Sequence, residues 1–519
     1  MRSLWILLAA LAATAPAAAG GDFYVDAVLG KNNSSAGTQA QPWKTISYAV
    51  FKADELSGGA PCTIHVAPGT YDPALGEVFP IHMRPGISVA GAGPEGTLVR
   101  GTGTELLFLF PSSSGPFSSV SFDASTRLES MRFENAHTAV RCFSKGGIAN
   151  PTLADLEFDG LVRGVYLETP LGQGDEAAPT LLGCRFLSCG TGVGGLLHGF
   201  PLGTVAIRDS EFLGCGKGID VVIAGVVVTE LVIQVERSEF RGCGVGIEVY
   251  SIEAVFTRVR LFDSLVAGGG DGLLGGTFGG SLQATVERST IAGNDRGVAS
   301  FMLGYSVNLR DSIVWGNVQD FDPPAGEILA FYTLASSNVG DWPIALPPGN
   351  LQVDPQFVDA IAGDYHLGPG SPLIDAGDPA HPPGGVDRDG DPRLLDGDAD
   401  AAARRDMGYD EHNRVRLDLS GSLQPGGAVA LAVDAPAGWL YFQAFSTGTA
   451  DLDQGAVGSL LLDPASLVFF DQGTAPAVFP IVLPSDPAVS GLQLFLQAAG
   501  FEPGGPAGSV SNRVAAAIG

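Results

Sequence analysis

From Leu128 to Phe321 the chain repeats one arrangement of apolar and polar positions eight times. Aligned on a central apolar residue (Phe133, Phe158, Phe186, Phe212, Phe240, Val266, Ile291, Val314), the steps are 25, 28, 26, 28, 26, 25 and 23 residues. Five positions before each centre stand Leu128, Leu153, Leu181, Ile207, Val235, Leu261, Val286 and Leu309. Seven positions after it stand Val140, Val165, Val193, Ile219, Ile247, Leu273, Val298 and Phe321. A fixed period in this range marks a solenoid, in which each turn of chain buries its apolar face on the next. Residues an odd number apart cannot both face inward along one flat strand, so the chain must turn a corner between the first two columns.

The polar columns define the rest of the coil. Three before the centre, Asp209, Arg237, Asp263, Arg288 and Asp311 alternate in sign and predict an outward ladder of opposite charges, joined at minus four by Arg208, Glu236, Glu287 and Arg310. Two before the centre, Ser210, Ser238, Ser264, Ser289 and Ser312 predict an internal hydroxyl stack. Cys189, Cys215 and Cys243 fall three after the centre, with Asn294 and Asn317 continuing that column, and Cys184 lies two before it. These cysteines are expected to stack as free thiols inside the coil. Gly164, Gly192, Gly218, Gly246, Gly272 and Gly297, six after the centre, predict a second corner with positive φ. Short strands, sharp polar corners and stacked Ser, Asn and Cys predict an all-β chain, a right-handed parallel β-helix running from about Pro61 to about Gly340. Leucine-rich repeats fail for want of their asparagine spacing, and helical repeats for want of a 3.6-period apolar stripe.

The ends differ from the repeats. Arg2, the apolar run Leu4 to Ala13 and Ala17-Ala18-Ala19 read as a signal peptide over residues 1–20, so the product is expected to be secreted or held at the cell surface. No later run is long and apolar enough to span a bilayer. Residues 21–383 are assigned to the β-helix with an N-terminal cap, in which Phe23-Tyr24-Val25 forms a strand and Thr45 to Leu56 a helix with Ile46, Ala49, Val50 and Ala53 on one face. Residues 384–413 form an acidic linker or closing segment. After Asn413, paired apolar runs broken by Pro, Gly and Asp predict a small C-terminal β-sandwich over 414–519.

Composition narrows the chemistry. With 28 basic and 56 acidic residues the net charge is −28, and no basic stripe is present, which argues against nucleic acid as a partner while leaving room for a local Arg-lined groove for an acidic sugar. In the column one before the centre, Arg185 stands among Glu157, Glu211 and Glu239, candidates for a cation-assisted proton abstraction and equally for an outward row of ion pairs. Asp387, Asp389 and Asp391, then Asp396, Asp398 and Asp400, alternate along the closing segment; hard oxygen ligands at every second residue suit Ca²⁺, and the same run equally makes a plain acidic loop. The EF-hand pattern fails, because Pro392 stands where its glycine belongs. No HExxH, nucleophile elbow, P-loop or dinucleotide fingerprint occurs.

Two sets of residues carry a resemblance. Tyr24-Val25-Asp26, Gly37-Thr38, Pro42-Trp43-Lys44-Thr45-Ile46, Ala67-Pro68-Gly69-Thr70-Tyr71 and Gly76-Glu77-Val78-Phe79-Pro80 resemble an uncharacterised domain of secreted bacterial proteins in the pectate-lyase-like β-helix superfamily. Asn350, Val353 to Val358, Asp364-Tyr365-His366-Leu367, Ser371 to Gly377 and Asp406-Met407-Gly408 resemble the closing segment of choice-of-anchor β-helix proteins. The resemblance implies an extracellular β-helix of a kind that often ends in a surface anchor; the chain itself is expected to be a monomer. Two functions follow as expectations: a non-catalytic protein that binds extracellular or cell-wall polysaccharide, or a polysaccharide lyase, epimerase or hydrolase acting on an acidic polymer.

Overall fold

The computed structural model describes residues 21–518 apart from 34–36, 115–118, 171–174, 199–202, 226–229, 254–255, 303, 324–331, 382–384, 399–402, 436–437, 454–458, 487–488 and 504–507. The expected signal peptide and Asp400 lie outside the described residues. The chain divides into two compact units: Ala18–Ala335 with Val339–Pro347, and Ser336–Asn338 with Pro348–Gly519. The acidic segment 384–413 thus belongs to the same unit as residues 414–519.

The first unit is a parallel β-helix whose coils run from Cys62–Val66 to Tyr332–Ala335. A 21-stranded sheet carries the first two apolar columns and an 11-stranded sheet the third. Successive coils pair in parallel with the columns in register: Leu181 on Ile207, Phe212 on Phe240, Phe240 on Val266 and Val193 on Ile219. All residues of the three columns are buried, the most open being Phe321 at 5%. Within the centre column the phenylalanine rings lie face over face. Centroids of Phe158, Phe186, Phe212 and Phe240 are 4.5, 4.5 and 4.4 Å apart, with planes within 5° of parallel.

Both corners are left-handed residues, and one of them differs from the sequence reading. The first lies three before the centre, where Asp209, Arg237, Asp263, Arg288 and Asp311 have φ between 46° and 52°. The second lies two after the centre, at Gly160, Ser188, Gly214, Gly242, Gly268, Gly293 and Gly316 with φ of 50–69°. The glycines six after the centre are not a corner. They sit within strands, and a Cβ on Gly218 would come 2.5 Å from both Gly246 O and the Phe240 ring. Their role is close approach of backbone and ring, not backbone conformation. The charged corner row is also less open than expected. Arg288 closes two bonds of 2.7 and 3.1 Å on Asp263, and Asp263 and Asp311 are buried.

Interior polar ladders match the sequence reading. The N–H of Ser210 donates to Ser238 Oγ (3.1 Å), Ser238 to Ser264 (3.0 Å), Ser264 to Ser289 (3.2 Å) and Ser289 to Ser312 (3.3 Å). Each hydroxyl in turn donates to a carbonyl, as Ser210 does to Arg208 O at 2.8 Å. These buried groups are satisfied and hold no nucleophile in reserve. Cys189, Cys215 and Cys243 each point Sγ at the carbonyl of the centre residue one coil back, Phe158, Phe186 and Phe212, at 3.4–3.5 Å. Asn294 and Asn317 continue the column through a 2.9 Å side-chain bond. All six cysteines are buried free thiols, and burial pushes Cys184 up to about 12. Alkylation of the unfolded, unreduced protein is therefore expected to add six labels; a mass two labels short would replace the thiol stack by a disulfide.

The cap forms as the sequence predicts. Asp22–Val25 pairs with Cys62–Val66, and the helix Ile46–Ser57 buries Ile46, Ala49, Val50 and Ala53. Thr45 caps the helix, its hydroxyl accepting from Tyr48 N, and the carboxylate of buried Glu77 accepts from the N–H groups of Ile46 and Ser47. This covers the open rung edge that a solenoid otherwise presents.

In the second unit, Arg416–Gly421, Ala428–Asp434 and Ala477–Val482 form one antiparallel sheet. Val468–Thr474, Leu440–Ser446, Gln493–Phe501, Gly508–Val510 and Val514–Ala517 form the other. Leu417, Leu431 and Val433 of the first sheet share a core with Tyr441, Phe445 and Leu496 of the second, the construction of a β-sandwich. Among the described residues no helix is long and apolar enough to cross a membrane.

Candidate functional site

The two faces of the β-helix carry different chemistry. On the 21-stranded sheet the sequence candidates fall in a row of ion pairs. Arg185 reaches Glu157 at 3.0 Å and Glu211 at 3.1 Å, Arg132 also pairs with Glu157, and Glu239 pairs with Arg241 at 2.7 Å. Farther along, Arg208 holds Glu236 at 3.1 Å and Arg237 holds Asp209 at 2.7 Å. Each carboxylate is held by a guanidinium on its own or a neighbouring coil, which is what opposite charges in stacked positions produce.

The outward columns of the 11-stranded sheet do not repeat. One runs Arg141, Tyr166, Gly194, Asp220, Glu248, Leu274, Ala299, Asp322. The next runs Phe143, Glu168, Leu196, Val222, Tyr250, Gly276. A column that changes residue type at every rung is not a packing ladder, because the coil repeats its interior and its corners but places no such demand on this surface.

Three zones follow one another along this face. At the N-terminal end, Thr104, Leu106, His137, Thr138, Arg141, Arg163, Tyr166 and Glu168 line a cleft of about 360 Å³. Arg163 lies 4.4 Å over the Tyr166 ring, and Arg141 pairs with Glu168. Among the described residues Arg163 makes no ion pair, so the cleft keeps one positive charge uncompensated by protein in a strongly acidic chain. The middle zone is polar, with Lys217 between Asp220 (3.0 Å) and Glu248 (2.7 Å). The third zone is an aromatic shelf. Tyr250 and Phe301 stand 5.5 Å apart, Gly276 leaves the room that the Phe301 ring fills, and Phe278 is 62% exposed. From Tyr166 to Tyr250 is three rungs, roughly 14 Å at the spacing of parallel strands.

Sequence reasoning did not find these residues. Repetition marks the interior of the coil, and the cleft and shelf are legible only as breaks in it, once the third apolar column fixes which neighbours point outward.

The acidic segment folds into two carboxylate groups. Asp387, Asp391 and Asp410 bring carboxylate oxygens within 4.8 Å of one another and are all buried; Asp375, Asp396 and Asp398 form the second set. Asp389 turns to His366, whose Nε2 lies 3.1 Å from its carboxylate, and the hydrogen bond raises His366 to about 9. Asp387 accepts from the N–H groups of Asp389, Asp391 and Glu411 at 2.8–2.9 Å. Arg393, fully buried, is spent on Glu411 at 3.1 Å and on the carbonyls of Gly408 and Tyr409. Burial pushes Asp387 up to about 6 and Asp391 and Asp410 well above the usual carboxylate range. Alternation alone predicted two sets of three consecutive aspartates. Folding instead recruits Asp375, from the Ser371 to Gly377 motif, and Asp410, two residues past Asp406-Met407-Gly408.

A family model described as a protein of unknown function (DUF1565) matches residues 28–165, which include the cap helix, the first coils and most of the cleft lining. No curated protein matches the chain. Among solved structures, the A-module of mannuronan C-5 epimerase AlgE4 from Azotobacter vinelandii is 13% identical, with a TM-score of 0.27 over 59% of this chain and 94% of that one. The AlgE6 A-module from the same organism is 14% identical, with a TM-score of 0.27 over 60% and 96%. The catalytic domain of a GH87 alpha-1,3-glucanase in complex with nigerose is 10% identical, with a TM-score of 0.29 over 58% and 67%.

Proposed function

We propose that this is a secreted or cell-surface β-helix protein that binds an acidic extracellular or cell-wall polysaccharide along the outward face of its 11-stranded sheet. The observation that carries the reading is the sequence of zones on that face: a guanidinium stacked on Tyr166, a polar middle and an exposed aromatic shelf. A guanidinium recognises a carboxylate through parallel N–H bonds, and aromatic faces pack against the C–H faces of sugar rings. A rung spacing of ~4.8 Å sets successive side chains at intervals similar to one sugar unit, so an extended polymer meets a new coil at each residue.

The test is binding of the full-length protein to a panel of uronate and neutral polysaccharides. Uronate polymers are expected to bind in a salt-sensitive manner. Arg163→Ala and Tyr166→Ala should each weaken binding at least about tenfold, since a charge-assisted or stacking contact contributes roughly 1.5 kcal/mol or more. Equal binding by wild type and both variants would remove this face from the reading.

A second reading, a lyase, epimerase or hydrolase on the same polymer, is favoured by one observation: His137 and Tyr166, both able to move protons, share the cleft with Arg163. Incubation with uronate polymers followed by ultraviolet absorbance for unsaturated ends, reducing-end assay and NMR of the uronate composition separates the two. Product formed by wild type and abolished in Tyr166→Phe would establish catalysis in place of binding alone.

A further inference from the structure

We propose that Asp387, Asp391 and Asp410 form a binding site for one Ca²⁺ ion within the C-terminal unit, independent of the polysaccharide face. The three carboxylates converge within 4.8 Å and are 0%, 7% and 6% exposed. Protein donors satisfy only part of this set. Both oxygens of Asp387 accept backbone N–H groups, and Asp391 accepts from the Asn413 amide. Asp410 is the independent sign of a ligand. Its side chain is more than nine-tenths buried, faces the other two carboxylates as well as His366 and Asp389, and among the described residues has one long ion pair and no shorter protein donor. The nearest cationic atom, His366 Nε2, is 3.9 Å away and already donates to Asp389 at 3.1 Å. Arg393 is hydrogen-bonded to Glu411 and two carbonyls, and its charge and that of Arg416 offset the three converging carboxylates only in part.

A buried carboxylate without a hydrogen bond either takes up a proton or is neutralised by a counter-charge. An ion does this for all three at once. The donors are all oxygen, which selects a hard cation, and their unequal hydrogen bonding and irregular spacing suit the tolerant coordination of Ca²⁺ better than the strict octahedron of Mg²⁺. The Asp387–Asp391 turn and Asp410 come from segments about twenty residues apart, so the ion would tie the closing segment to itself and stabilise the unit by mass action.

The experiment uses the full-length protein stripped with chelator and titrated calorimetrically with CaCl₂, with MgCl₂ and ZnCl₂ in parallel. One Ca²⁺ per chain is expected, with Mg²⁺ weaker, together with a melting temperature that rises with the logarithm of Ca²⁺ concentration. Asp410→Asn should lose both the bound ion and the rise, while its chelator-treated melt stays at or above that of wild type, because the amide relieves the uncompensated charge. Asp398→Asn, in the other carboxylate set, should keep both. Should Asp410→Asn fail to fold, Tb³⁺ bound to wild type reports instead: tyrosine-sensitised emission should be displaced by Ca²⁺ and fall in Tyr409→Phe, whose ring adjoins Asp410 in the chain. Absence of binding, stronger binding of Zn²⁺ than Ca²⁺, retention of the ion in Asp410→Asn, or its loss only in Asp398→Asn would overturn the assignment.

Discussion

Phe212→Ala is expected to destabilise the β-helix by about 3–5 kcal/mol, the range for removing a buried aromatic side chain. Phe212 is fully buried and sandwiched between Phe186 and Phe240 at 4.5 and 4.4 Å, so truncation removes two stacked contacts and leaves a void that neighbouring coils cannot close. The coil path is fixed above and below by the serine and cysteine ladders, which limits relaxation. Phe51→Ala provides the contrast, since Phe51 is 59% exposed on the cap helix and its loss should change stability by about 0.5 kcal/mol or less. Urea unfolding followed by circular dichroism and by tryptophan emission compares the midpoints without assuming a single transition for two units. Equal midpoints for the two variants would refute the stack as a source of stability.

The second large effect is expected at Gly218. Gly218→Ala should lower stability by about 1–3 kcal/mol, because the added carbon would sit 2.5 Å from Gly246 O and from the Phe240 ring, and neither a paired backbone nor a stacked ring can yield cheaply. Gly242→Asn should differ from wild type by only about 0.5 kcal/mol. Gly242 has a φ of 64° but open space around it, and asparagine tolerates that conformation. The same urea midpoints decide the matter. If Gly242→Asn proved the more damaging, backbone conformation would govern at the wrong glycine column.

These two glycines show how far the sequence could be read. The apolar columns were legible because every coil repeats them, and the serine ladder because five consecutive coils do. The second corner was misplaced because glycine recurs both two and six positions after the centre. The sequence did hold a sign of the difference: Asn135 and Ser188 occupy the first of these columns, as left-handed positions allow, whereas Ala139 in the second signals a limit on size. The outward rows were legible as charge but not as burial, since only the fold reveals that Arg288 covers Asp263. Arg163, Tyr166, Tyr250 and Phe301 belong to no repeat, so nothing in the period marks them. In the acidic segment the aspartate alternation located Asp387 and Asp391, but Asp410 joins them through a loop closure that spacing does not encode.

The stacked coils make the β-helix a ruler. Every ladder enters and leaves a coil at equivalent positions, so gain or loss of one whole coil, such as the 28 residues from Phe212 to Phe240, rejoins the phenylalanine, serine and cysteine columns without a mismatch. What changes is reach. Each coil added between Tyr166 and Tyr250 moves the basic cleft ~4.8 Å farther from the aromatic shelf and leaves both intact. The distance between the two chemistries of this face is therefore an adjustable quantity, set in whole coils by chain length and independent of the residues that do the recognising.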